Sequence, residues 1–573
     1  MDKKSVSDIL EQIGTMLELK GESSFRARAY YSAARIISGL DVSLETLIAE
    51  NRLKEVRGIG KALSEKITEL VTTGRLQYYE KLKSSFPETL FELLKIPGMG
   101  PKKVKAVYDK LDIKSLGELE YACHENRLIS LTGFGAKTQE KILLGIHQLK
   151  KYQGQYLYNF AQKEAEKIHP LIAQHGKVIQ SSVVSSLRRK MEVIRDIDIL
   201  ASTNDRREVM DFFTSLRDIE SVIAKGDAKS SVTLNTGVNV NLHAVPDTKF
   251  PYALRHLTGS EEHNIAMRDR ATKMDMEIFE DGLFKDGKLL ECENESQIFH
   301  KLGLAFIPPE LRENSGEIES AEKNTLPKLI ETSDIKGVFH VHSIYSDGVS
   351  TVAKMAQAAM KLGFTYLGIS EHSQYATYAN GMKPNAILQQ HREIDALNRK
   401  FDNFKIFKGI EADILPDGSI DYDDAILATF DFVIAAVHSK FNMTEKEMTK
   451  RIIKAMENKH VTMLAHPTGR LLLGREGYPV NLTKIIDAAA ANDVVIELNA
   501  NPHRFDLDWR YCKLAKEKGV KISINPDAHH PDELQYTYMG VGIARRGWLE
   551  TSDVINTMEL REICAACRFH VRQ

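Results

Sequence analysis

The feature that most constrains this chain is an event repeated through residues 334–573: a short apolar run ends in His, Asp or Glu. It opens with Gly-Val-Phe-His340-Val-His342-Ser-Ile-Tyr-Ser-Asp347 and returns at Ile-Ser-Glu371-His372, Gly-Ile-Glu411, Ala-Val-His438, Leu-Ala-His466, Ile-Glu497-Leu-Asn499 and Asn-Pro-Asp527-Ala-His529. Seven strand-like runs alternate with helix-like segments, which predicts a parallel α/β barrel with its site at the C-terminal ends of the strands. His340 and His342 lie two apart, so strand alternation sends both imidazoles to one face, as two ligands of one cation require. Six of the eleven histidines in this segment end such runs, a bias that packing alone does not explain.

Residues 1–150 carry a different repetition. Val56-Arg-Gly58-Ile-Gly60-Lys61, Ile96-Pro-Gly98-Met-Gly100-Pro101 and Leu131-Thr-Gly133-Phe-Gly135-Ala136 each join two amphipathic, helix-like segments, and Lys61, Lys102, Lys103 and Lys137 follow closely. Two glycines flanking one apolar residue permit a tight turn and leave the next helix with bare N–H groups suited to a phosphate. Three copies predict helix-hairpin-helix modules that grip DNA through its backbone without reading sequence. Residues 51–110 hold thirteen Lys/Arg against seven Asp/Glu, a local surplus hidden by the net charge of −2 for the whole chain. Binding is therefore expected to weaken as salt rises.

Between these regions, Ser185-Ser186-Leu-Arg188-Arg189 precedes Arg195-Asp196-Ile-Asp198-Ile. Alternation places both carboxylates on one face of a half-buried strand, which suits Mg²⁺ (or Mn²⁺) and in-line phosphoryl transfer. This stretch resembles the palm of the bacterial family X DNA polymerases, with its Gly-Ser-x-Arg-Arg triphosphate loop and Asp-x-Asp strand. By that resemblance Asp196 and Asp198 are catalytic, and Ser186 and Arg189 bind nucleotide. Thr258, Gly259 and Asn264 resemble the segment that contacts the incoming sugar and base pair, and Ile307 to Arg312 the end of the thumb. Arg26 and Tyr30 match positions that hold a 5′-phosphate in animal repair members, and Lys66 matches their Schiff-base lysine.

Three departures stand out. The family's third aspartate is Asn241 here, within Val238-Asn-Val-Asn241-Leu-His243, and Ser185 and Arg195 replace glycines of the triphosphate loop. An amide adds no charge and accepts no proton from a primer 3′-hydroxyl, and a lost base costs about 10²–10⁴ in rate. Nucleotide incorporation is expected to be weak.

The C-terminal segment resembles the polymerase-and-histidinol-phosphatase (PHP) domain that such polymerases carry. That resemblance implies three metals: one held by His340, His342, Glu411 and Asp527, a second by Glu411, His438 and His466, and a third by Asp347, His372 and His529. Glu371 stands where the family usually has Asp, outside the ligand set. Imidazole and carboxylate donors suit Mn²⁺ first and Zn²⁺ next, and disfavour Ca²⁺ or Cu⁺. Arg470, Arg475 and Lys440 are placed in loops beside the site, where they are expected to be solvated or to meet phosphate oxygens.

The expected protein is thus multidomain, α+β and α/β. Its order is an N-terminal helical, lyase-like domain (1–85), a fingers-like helix-hairpin-helix region (86–150), palm (151–250), thumb (251–320), a polar join (321–333) and a distorted (β/α)7 PHP barrel (334–573). At 573 residues one core would not suffice. Five scattered cysteines and no signal peptide fit a reducing cytoplasm. Cys564-x-x-Cys567 is half a zinc site without a second pair. No apolar run spans a membrane. The leading reading is a monomeric DNA-repair protein that acts on gapped or 3′-ended DNA, with a metal-dependent 3′–5′ exonuclease and a weakened polymerase that takes deoxynucleoside triphosphates. Competing readings are a fully active gap-filling polymerase with Asp247 replacing the missing acid, a DNA-end-binding scaffold, and a small-molecule phosphatase.

Overall fold

The computed structural model describes residues 1–40, 42–150, 154–563 and 569, so the Cys564-x-x-Cys567 pair lies outside the described residues. The chain forms two compact units, residues 1–149 and 150–573.

In the first unit, α1 (Lys3–Lys20) and α2 (Ser24–Ser38) bury one stripe each, Val6, Leu10, Ile13 and Leu17 against Ala27, Tyr30, Ala34 and Ile37. Asp2 and Ser23 cap the two helices by accepting from the N–H of Ser5 and Arg26, and Gly21 ends α1 in the left-handed region. The three glycine hairpins open α3 (Lys61–Thr73), α4 (Pro101–Leu111) and α5 (Ala136–Lys150). Each has the same construction. Gly58, Gly98 and Gly133 take φ of +95°, +83° and +89°. The apolar residue that follows, Ile59, Met99 or Phe134, is buried and donates its N–H to the carbonyl three residues back at 3.0, 3.0 and 3.1 Å. Gly60 and Gly100 are N-caps without a side chain to satisfy the first-turn N–H groups, which are left for an outside acceptor.

After the helix Tyr158–Ala173, the second unit forms a five-stranded sheet of β1 (Val178–Val183), β2 (Asp196–Thr203), β3 (Ile219–Lys225), β4 (Lys229–Leu234) and β5 (Asn239–Val245), in the order β1-β2-β5-β4-β3. Only the central pair, β2 and β5, runs parallel.

The barrel strands follow: β6 (Gly337–Val341), β7 (Tyr366–His372), β8 (Lys405–Asp413), β9 (Phe432–Ala436), β10 (Met463–Leu464), β11 (Val495–Asn499) and β12 (Ile522–Asn525). All pair parallel with their neighbours in chain order, and a single bridge, Val341 to Ala528, joins the first strand to the end of the last. Seven strands nearly close. Burial on both faces accounts for the unbroken apolar runs, since helices cover the outside and Phe339, Tyr366, Phe407 and Phe432 pack together inside. Gly368 and Gly409 make room for that packing: a Cβ on either would lie within 2.7 Å of the Phe432 ring.

One continuous cluster of buried side chains runs from the five-stranded sheet, including Ile197 and Val240, to the barrel. The expected join at 321–333 is packed within this unit: Leu329 and Ile330 are buried, and the Ile330 N–H donates to the Leu549 carbonyl at 3.0 Å.

Candidate functional site

The C-terminal ends of the barrel strands bring His340, His342, Asp347, His372, Glu411, His438, His466, Asp527 and His529 into one pocket. Glu411 is its centre. Its Oε1 lies 3.0 Å from His466 Nε2, 3.2 Å from His438 Nε2 and 3.3 Å from His340 Nε2, and its Oε2 lies 2.8 Å from His372 Nδ1. Asp527 Oδ1 stands 3.3 Å from His342 Nε2 and 3.4 Å from His340 Nε2, and Asp347 meets His529 at 3.3 Å and His372 at 3.5 Å. Donor atoms of His342, Asp347, His372 and His529 lie within 4.8 Å of one another, as do those of His340, His466 and Asp527, of His340, His342 and Glu411, and of His372, Glu411 and His438. His342 thus sits between two of the expected sets. The Nε2 atoms of His340 and His342 are buried without a hydrogen bond. Such atoms, facing carboxylates at these distances, fit a transition-metal cation.

Regular alternation does not produce this arrangement. Between Val338 and Val341 the β6–β7 register slips, and His340 takes φ +58°. This bulge turns His340 inward directly after inward Phe339, sends Val341 outward, and brings His342 back in. The sequence expectation of a shared face therefore holds for a different reason. His466 and Asp527 are also left-handed, with φ of +26° and +51°, conformations that cost about 1–3 kcal/mol each and concentrate at functional sites.

A second layer orients the first. Glu497 Oε1 lies 2.6 Å from His340 Nδ1, and its Oε2 accepts the backbone N–H of His466 at 2.9 Å. Asp413 stands 3.3 Å from His438 Nδ1. Glu371 accepts from Ser343 Oγ at 2.5 Å, Ser346 Oγ at 2.6 Å and Gln390 Nε2 at 2.9 Å, and so holds the loop that carries Asp347. Asp413 was missed from sequence, although its i, i+2 spacing from Glu411 on one strand was the available signal. Burial opposes charge on His340 and His438, but nearby carboxylates outweigh it, so His340 stands well above the ordinary histidine pKa and His438 is raised to about 10. Burial and the neighbouring His529 and His372 hold His342 down to about 3. Arg470 is not a solvated loop residue: it pairs with Asp508 at 2.6 Å and donates to the Phe505 carbonyl. Arg475 donates to the Gly469 carbonyl at 2.9 Å and lies 4.4 Å from the Phe441 ring, while Lys440 is exposed.

The second constellation lies on β2 and β5. Asp198 is opposite Asn241, whose Nδ2 donates to Asp198 Oδ1 at 2.9 Å while its Oδ1 accepts from Ser231 Oγ at 2.6 Å. Burial raises the Asp196 carboxyl, and the adjacent Asp198 charge adds to the rise. Asp198 is also pushed up by burial, but His243, 3.7 Å away, and the hydrogen bond from Asn241 bring it below the ordinary value. Next to this pair is a cavity of about 670 Å³ lined by Ser185, Arg189, Gly259, Asn264 and Phe279 among others. Ser186 and Thr258 do not line it. Ser185, at a position where the resembled pattern has glycine, adopts φ +60°, lines the cavity and lies close enough to Asp198 to favour its charged form. Arg195 is exposed. Asp247 is held by Ser202 Oγ at 2.6 Å and Gln180 Nε2 at 2.8 Å. Ser202 lies four residues along β2 from Asp198, about 13 Å at strand rise, so Asp247 does not replace the missing acid.

In the first unit, Lys66 Nζ lies 5.1 Å from the centre of the Tyr78 ring, and that ring stacks on Tyr30 with centroids 6.4 Å apart. Arg26 is exposed and pairs with Glu22 at 2.9 Å. Cys123, Cys292 and Cys512 are buried and unpaired in disulfides.

Comparison with known proteins matches these parts to separate families. A helix-hairpin-helix domain matches residues 1–76, a SAM-like helix-hairpin-helix tandem 90–148, a DNA polymerase beta thumb 253–313 and a PHP domain 339–501. The chain is 39% identical over 567 residues to the DNA polymerase/3′-5′ exonuclease PolX of Bacillus subtilis (strain 168), which covers 98% of this chain and 99% of that one. It is 30% identical over 201 residues to a probable phosphatase of Thermoanaerobacter sp. (strain X514), covering 33% of this chain and 77% of that one. A probable phosphatase of Acetivibrio thermocellus is 28% identical over 201 residues, 33% of this chain and 78% of that one.

Proposed function

Because the chain belongs to the family X DNA polymerases that carry a C-terminal PHP domain, we propose that it trims the 3′ ends of DNA at the barrel and fills short gaps only slowly at the five-stranded sheet. The single observation that carries the first half is the convergence of nine buried or half-buried imidazole and carboxylate groups, Glu411 among them at the centre, in one pocket.

In this reading His340, His342, Glu411 and Asp527, then His438 and His466 with Glu411, then Asp347, His372 and His529 hold three divalent cations, Mn²⁺ or Zn²⁺. Bound there, the cations supply Lewis acidity, which lowers the pKa of a water and polarises phosphate oxygens. The chain's own groups do the rest. Glu497 and Asp413 fix the ring orientation of His340 and His438, Glu371 holds the Asp347 loop, and burial excludes bulk water from the donors. The three hairpins supply DNA contacts that a small-molecule phosphatase would not use.

The palm reading rests on Asp196 and Asp198 beside the cavity, with Arg189, Gly259 and Asn264 facing the nucleotide. Asn241 is a donor to Asp198 where the pattern has an acid, so two carboxylates remain and no base faces the primer hydroxyl. Incorporation is accordingly slow, and a scaffold with no incorporation is the limiting case. Asp247, fixed at the other end of β2, speaks against full activity.

One gapped duplex labelled at the primer 5′ end tests both halves, with and without nucleotides. His340→Ala and Glu411→Ala are expected to abolish Mn²⁺-dependent shortening of the primer while leaving duplex binding unchanged. Shortening at the wild-type rate by both variants would remove the barrel from the reaction.

A further inference from the structure

Beside the cavity, the adjacent residues Arg188 and Arg189 each complete a group of two guanidiniums around one carboxylate. Arg188 lies 2.6 Å from Glu295, which also takes Arg312 at 2.8 Å. Arg189 Nε lies 2.9 Å from Glu313 Oε1, which also takes Arg546 Nη1 at 3.0 Å. The second group differs from the first in one respect. Its outer arginine belongs to the barrel, on the last turn of the helix Tyr536–Arg546.

Arg546 is built in. Its side chain is fully buried, stacks 4.4 Å from the Trp509 ring, and donates to the Arg189 carbonyl at 2.6 Å as well as to Glu313. It thus grips Arg189 twice, at the backbone and through the shared carboxylate. Arg189 in turn lines the cavity, donates to the Thr258 carbonyl and lies against Gly259, where an added Cβ would sit 2.9 Å from Nη1. Charge follows from the count. Arg189 and Glu313 alone would be neutral, and Arg546 gives these three groups one surplus positive charge, with Glu192, which also faces Arg546, paired to Arg470 at 3.4 Å, next to a cavity read here as the seat of a polyanion.

We propose that Arg546 is a positioning residue for nucleotide binding: from the barrel, it fixes Arg189 and offsets Glu313, so that the guanidinium of Arg189 remains available to a triphosphate. The barrel is then part of the palm's nucleotide site as well as the seat of its own. This rests on the reading of the cavity as that site.

Full-length protein on a one-nucleotide gapped duplex is titrated with the complementary Mg²⁺–dNTP. Loss of a charge-assisted contact predicts that Arg546→Met weakens nucleotide affinity about ten- to hundredfold, while Mn²⁺-dependent trimming by the barrel stays at the wild-type rate and reports that the fold is intact. The distinguishing result is rescue. In Arg546→Met/Glu313→Gln no carboxylate remains to neutralise Arg189, and the double variant is expected to bind nucleotide more tightly than Arg546→Met. A purely structural role would make the two losses add. Affinity of Arg546→Met equal to wild type, or a double variant weaker than the single one, overturns the proposal. Should Arg546→Met misfold, Glu313→Gln alone decides: unchanged or tighter binding supports the role, and weaker binding overturns it. A wild type that binds no nucleotide overturns the reading of the cavity and the role with it, whereas wild-type binding that ignores both substitutions overturns only the role.

Discussion

In the proposed reading, Asn241 is the residue on which the balance of the two activities turns. It presents an amide nitrogen to Asp198, a hydrogen bond that an acid at the same place would replace with charge repulsion unless cations intervened. Asn241→Asp is expected to raise Mg²⁺-dependent primer extension on a gapped template by about 10²–10⁴, and a wild type as fast as the variant would refute the assignment. Glu295 offers a test by pH. Burial pushes its carboxyl up, but Arg312 and Arg188 bring it down to about 2 from an ordinary 4.5. A depressed folded-state pKa gives stability that is complete above about pH 4.5 and is lost as pH falls toward 2, worth about 3 kcal/mol over that window. Glu295→Gln should therefore flatten the acid limb of the unfolding curve between those values, measured by circular dichroism.

At the scale of elements, the hairpins and the bulged strand show how far local pattern reaches. The Gly-x-Gly repeats were legible because a left-handed glycine, a buried apolar residue and a bare helix start all follow from five consecutive residues. Gly60, Gly100 and Gly135 have ordinary φ, and a Cβ on any of them would meet nothing within 4 Å. Their substitution by alanine should therefore leave thermal stability unchanged. If phosphates approach the bare N–H groups, the triple variant should bind duplex DNA at least about tenfold more weakly and show a shallower salt dependence, for a loss of one hydrogen-bonded contact or more. Equal affinity would exclude these hairpins from the DNA interface. The bulge at His340 was not legible. It depends on how β6 pairs with β7, and the His-x-His spacing suggests the same shared face by simple alternation.

Across the whole second unit, one network of buried groups links the two constellations. Metal removal is expected to act on the barrel first. Stripping divalent cations should abolish 3′ trimming and lower the thermal midpoint, while restoring them at a hundredfold excess over Kd should return about 2.7 kcal/mol. Because His438 holds its proton to about 10 without a cation, metal binding must displace it, so apparent metal affinity should rise from pH 6 to pH 8 when followed by calorimetry.

Sequence by itself placed imidazoles and acids at the ends of seven strand-like runs and marked the glycine hairpins, because side-chain chemistry and periodicity are properties of a few neighbouring residues; the grouping of those side chains as cation ligands came from the family resemblance. Even Asn241 was readable as a changed letter in a strand. Only tertiary structure decided that His340 turns inward at a bulge, that Glu497 and Asp413 orient imidazoles, and that the 321–333 stretch packs. It alone placed Arg546 on the same carboxylate as Arg189, partners 233 and 124 residues from Glu313 along the chain. The physical reason is common to all four: a buried charge, a strained backbone or an apolar side chain in a polar stretch is stable only beside a particular partner, and distant segments meet that partner only once the core has formed.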